Sequence, residues 1–168
     1  MLSYSLIKPR TLFFVCTSLV MCLYCCGDDI QHQHSIQTVC DKSTANIPFE
    51  IGMTLESEDG NFKITVLATE VAGSAPNTID RGLNTWTVSL TDAHDSPITN
   101  ATIILTPTMP GHGHGTYPPN FESTNNGTAN YQLGPFDLLM PGTWLLTFKI
   151  STPGNNDVQI SAGYCIES

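Results

Sequence analysis

The sequence predicts an all-β protein: an immunoglobulin-like β-sandwich of about seven strands, preceded by an export signal and a flexible tether. Three observations predict it. Apolar residues recur with period two from Ile47 onward, and no window of helical length after the first 26 residues carries apolar spacings of three and four. The 13 Gly and 11 Pro of the chain separate the apolar runs into short segments, as sandwich strands require. At 168 residues and 40% hydrophobic content, the chain holds one domain with extensions and enough apolar surface for a core. Fifteen acids against six bases, with no basic stripe, argue against nucleic acid as a partner.

Residues 1–25 read as a signal peptide. Lys8 and Arg10 form a positive start, no acid occurs before Asp28, and Thr11 to Cys26 is almost wholly apolar. That run is shorter than the roughly 20 residues a membrane-spanning helix needs. Leu23-Tyr24-Cys25-Cys26-Gly27 resembles a bacterial lipobox, in which Cys26 is acylated and becomes the new N-terminus. The expectation is an exported cell-envelope protein, lipid-anchored to a membrane and facing the periplasm or exterior. A Cys-rich signal that is simply cleaved is the alternative. Residues 26–46 are polar and unpatterned and read as a tether; Gln31-His32-Gln33-His34 within it makes an accessory His pair without fixed geometry.

With Cys16, Cys22 and Cys25 in the signal and Cys26 assigned to lipid, Cys40 and Cys165 remain. An even pair in an oxidising compartment reads as a disulfide fastening both ends of the domain. Metal ligation by two free thiols is the weaker alternative, since neither has a partner at ligand spacing.

The domain occupies residues 47–168. Ile51 to Ser57 and Phe62 to Thr69 flank the turn Glu58-Asp59-Gly60-Asn61 and predict a hairpin, with Phe62, Ile64, Val66 and Ala68 on one face. Trp86, Val88 and Leu90 make the next apolar face, ending at the Asp92 to Pro97 turn, where His94 is expected in solvent. Further strands are predicted over Ala101 to Thr106, Thr128 to Leu133, Thr143 to Ser151 and Asp157 to Cys165. Trp86 and Trp144 are expected as core anchors.

The chemistry-bearing segment lies between the fourth and fifth of these strands: Met109-Pro110-Gly111-His112-Gly113-His114-Gly115. On an extended segment His112 and His114 project to one side and can present two imidazoles to one ion. Imidazole suits copper, zinc and nickel, whereas a thioether selects Cu(I). Met109 is close in sequence, and Met140, in a second Met-Pro-Gly element, completes a His2Met2 set if the two loops meet at one end of the sandwich. The plainer reading is a solvated Gly/His connection with Met140 under a turn.

The run from Gly82 to Ile150 resembles the YtkA-like family of exported domains, related to the FixH type. The resemblance rests on Asn84 before an alternating strand, the Asp92-to-Ile98 turn with Pro97, the Met109-Pro110 loop with His112, and the closing Met140-Pro141-Gly142-Thr143-Trp144. It implies a small extracytoplasmic β-sandwich, often a lipoprotein, associated in some relatives with copper supply to respiratory oxidases. It carries Met109, His112, His114 and Met140 over as ligands and makes copper the first choice of metal. The sequence departs from the pattern in an extra His-Gly pair, a Pro118 to Asn126 insertion, and the lack of the membrane helix expected of the FixH type.

The function expected is therefore a membrane-anchored copper-binding domain that handles or delivers the ion to a copper-accepting protein. The alternative is a non-metal envelope interaction or adhesion module, which an exposed aromatic patch of Tyr117 and Phe121 would favour. An enzyme is not expected. There is no GxSxG element, Glu56 and Glu58 read as solvated surface, and the histidines outside the tether are too few for a two-metal dismutase.

Overall fold

The structure, a computed structural model, describes Cys40, residues 46–125 and residues 127–167. The signal, Cys26, His32 and His34 lie outside the described residues. The strands are β1 (Thr54–Glu56), β2 (Phe62–Val71), β3 (Gly82–Asp92), β4 (Thr102–Met109), β5 (His114–Gly115), β6 (Phe121–Glu122), β7 (Asn130–Leu138), β8 (Gly142–Ser151) and β9 (Val158–Ile166). One antiparallel sheet has the order β1-β2-β3-β7; the other has β5-β4-β8-β9, with β6 also paired to β4. The expected β-sandwich is present, with nine strands among the described residues where seven were expected. The two extra strands are two-residue pieces of the segment after β4. That segment folds back and pairs Met109 with His114 and Leu105 with Phe121, covering backbone groups that β4 would otherwise leave at an open edge.

The inner faces of both sheets form one core. At its centre Trp86 is wholly buried and meets the rings of Phe49, Phe136, Phe148 and Tyr164 at centroid distances of 5.4–6.2 Å. Burial pushes the Tyr164 phenol well above its ordinary pKa, and its hydroxyl donates to the Met53 sulfur at 3.6 Å. The phase of β2 differs from a simple alternation. A bulge between Val66 and Ala68 leaves Leu67 exposed and turns Thr69, not Ala68, into the interior. The Thr69 hydroxyl is satisfied there by the Thr78 carbonyl, which makes its burial tolerable.

A second irregularity lies opposite, where the β3–β7 register shifts between Asn84 and Trp86. Gly134 fills this point at φ +103°, and a Cβ there would stand 2.5 Å from the Asn84 carbonyl oxygen. Gly134→Ala is therefore expected to destabilise the fold by about 2–4 kcal/mol, combining left-handed strain with overpacking. Urea unfolding is the measurement; an unchanged midpoint would contradict the argument.

Aspartates organise the turns. Asp59 accepts from the Ser57 hydroxyl (2.6 Å) and the Asn61 amide (3.0 Å), and these bonds hold its carboxyl below the ordinary carboxylate range. Asp92 accepts from the backbone of His94 and Ser96, each at 2.8 Å, and His94 is exposed as expected. Cys40 and Cys165 are joined as a disulfide with Cα atoms 5.5 Å apart across 125 residues of sequence. Asn46, assigned from sequence to the tether, belongs to the fold: it forms a parallel bridge with Gly163.

Candidate metal centre

β4 ends at Met109, Pro110–His112 forms a 3-10 turn, and β5 begins at His114. Gly113 between them is left-handed at φ 68°, and its N–H donates to the Met109 carbonyl at 2.9 Å. The His-Gly-His segment is thus a tight turn and not the extended stretch expected, so period-two projection does not bring its imidazoles together. The left-handed glycine does: the rings of His112 and His114 lie 5.7 Å apart, tilted by 49°. Gly115 is required by close approach, because a Cβ there would stand 2.6 Å from the Pro107 carbonyl oxygen.

Both histidines are exposed. The methionines differ in a way the sequence reading missed. Met109 is 1% exposed, on the inward face of β4, whereas Met140 is 37% exposed in the connection from β7 to β8. The two loops share one end of the sandwich, and Trp144 links them. Its ring packs edge-on with His114 at 6.2 Å, while its indole N–H donates to the Met140 carbonyl at 2.9 Å. The β4–β8 ladder ends at Thr108 and Leu145, which sets Met109 and Trp144 next to each other beyond it. Trp144 is wholly buried, as a core anchor should be, but its role in joining the loops was not anticipated; the Met140-to-Trp144 spacing of the Met-Pro-Gly-Thr-Trp element was its only trace in the sequence.

Among the described residues no three His, Cys, Asp or Glu side chains gather into a group that could hold a metal. A metal at this end would have the imidazoles of His112 and His114 as its nitrogen donors and would need thioether sulfur to complete its coordination. That donor set suits a soft monovalent ion better than zinc. The alternative aromatic patch does not form as a pair: Tyr117 is 95% exposed, but Phe121 is half-buried and packs on Phe136 at 6.0 Å. Glu56 and Glu58 are exposed surface residues.

No family model, curated protein or solved structure matches the chain.

Proposed function

We propose that the protein is a Cu(I)-binding domain of the cell envelope, a carrier and not an enzyme, which holds the ion at the sandwich end bearing His112, His114 and Met140. Met109, buried at the end of β4 and paired with His114, would supply a second sulfur if its side chain turned outward. The observation that carries this reading is the 5.7 Å separation of two exposed imidazoles. Two imidazoles sharing one ion through bonds of about 2.0–2.1 Å have ring centres roughly 5–6 Å apart. Exposure of both rings favours exchange, since an accepting protein must reach the ion to take it. Acylation at Cys26 would keep the carrier at a membrane surface, with residues 27–39 as spacer. The YtkA-like motifs support the same reading.

Titration with Cu(I) against a competing chelator tests it. The His112→Ala, His114→Ala double variant is expected to lose affinity by about a hundredfold or more, and Met140→Leu to lose less. Wild-type affinity in the double variant would remove the proposal.

A further inference from the structure

The opposite end of β9 carries a feature unrelated to metal. The Ile47 N–H donates to the Gly163 carbonyl at 2.9 Å, so Gly163 directs its backbone groups away from β8. In an antiparallel ladder that orientation recurs at every second residue. Ser161 and Gln159 therefore point their N–H and C=O groups outward as well, and no described residue pairs with them. Among the described residues the chain covers this edge only near Gly163, before the sequence continues into the other sheet as β1. The uncovered half of β9 lines a groove of about 610 Å³ whose other wall is Glu56, Glu58 and Asp59, with Asp157 at its end. Asp157 is bonded to Lys149 at 2.6 Å and to the Ser151 hydroxyl at 2.6 Å. Lys149 is thus already committed, and the groove remains negative.

We infer that this groove is a docking site for an extended, lysine- or arginine-bearing segment of another protein, which adds to the sandwich as a strand along Gln159–Ser161 while its cationic side chains face Glu56, Glu58 and Asp59. Main-chain pairing supplies affinity in such strand addition, and alternate side chains supply selection. Charge decides among the occupants. Of the chain's own flanking residues, 27–39 contain Asp28 and Asp29 and no Lys or Arg, and 41–45 carry Asp41 beside Lys42, for no net charge. A second copy would set the same acidic walls against each other.

The probe is a labelled ten-residue peptide of alternating Lys and Val, with a Glu/Val peptide as comparator, titrated into the processed protein at low salt. The Lys/Val peptide is expected to bind and to slow amide exchange at Gln159 and Ser161, and the Glu/Val peptide is not. Gln159→Pro removes an outward donor without breaking the β8 ladder and is expected to weaken binding roughly fivefold. Glu56→Gln with Glu58→Gln leaves the backbone intact and is expected to weaken it about tenfold. No binding, equal binding of the Glu/Val peptide, binding with unchanged exchange at both amides, or wild-type affinity in the double glutamine variant would each overturn the inference. Protection of these amides in the free protein that is lost on deleting residues 27–39 would assign the groove to the chain's own tether and overturn it too. Copper affinity has no bearing on any of these outcomes.

Discussion

Replacing Cys40 and Cys165, both half-buried, by serine is expected to lower the unfolding free energy by about 4–5 kcal/mol. The bond closes a loop across 125 residues, and the chain-entropy model gives roughly that figure for a loop of this length. Domains of this size have only about 5–15 kcal/mol in total, so the variant should unfold at markedly lower urea concentration, as should the reduced wild type. The effect has a structural reach. Cys165 pairs with Thr143 across β8 and β9, one residue before Trp144, and on its other side Asn46 donates to the Thr143 hydroxyl at 3.3 Å. The disulfide therefore holds the N-terminal segment against β9, the neighbour of the strand that carries Trp144. A loss below about 1 kcal/mol would mean that the packing of Ile47 and Phe49 already fixes this segment.

The parts of this fold that the sequence made legible are those set by alternation alone. Trp86, Val88 and Leu90 face inward because nothing interrupts β3 between them. The run from Thr102 to Met109 keeps the same phase to its end, with Ile103, Leu105 and Met109 inward. Extending the predicted strand beyond Thr106 would have placed Met109 in the interior. The phase changes at Leu67 and Gly134 were hidden because a bulge is a property of two paired strands, and one strand read alone does not reveal it. The histidine turn was misread for a related reason. A left-handed glycine and an extended one have the same letter, and the difference is fixed by β5 returning to pair with β4. What brought the two Met-Pro-Gly elements to one end was topology: β4 and β8 are antiparallel neighbours, so the end of one adjoins the start of the other.

Trp144 is the residue on which stability and metal affinity should separate. Trp144→Ala removes a wholly buried indole and is expected to cost about 3–5 kcal/mol, a result that packing alone would produce. Trp144→Phe is the informative substitution. It keeps a buried ring near His114 but removes the N–H that holds the Met140 carbonyl, at a stability cost of about 1 kcal/mol. If the indole positions the Met140 loop for Cu(I), affinity should fall roughly tenfold in this variant, in the range that loss of a supporting hydrogen bond produces at metal sites. Trp86→Phe supplies the contrast, since Trp86 sits among Phe49, Phe136, Phe148 and Tyr164. It should lower stability and leave affinity unchanged. That background also leaves Trp144 as the sole indole, so Cu(I) binding beside it should change the remaining emission. Wild-type affinity in Trp144→Phe would reduce the indole to packing and leave the Met140 loop to position itself. In the Trp86→Phe background, an emission change lost together with affinity on replacing His112 and His114 by alanine would tie the ion to the end of the sandwich where β4 and β8 meet.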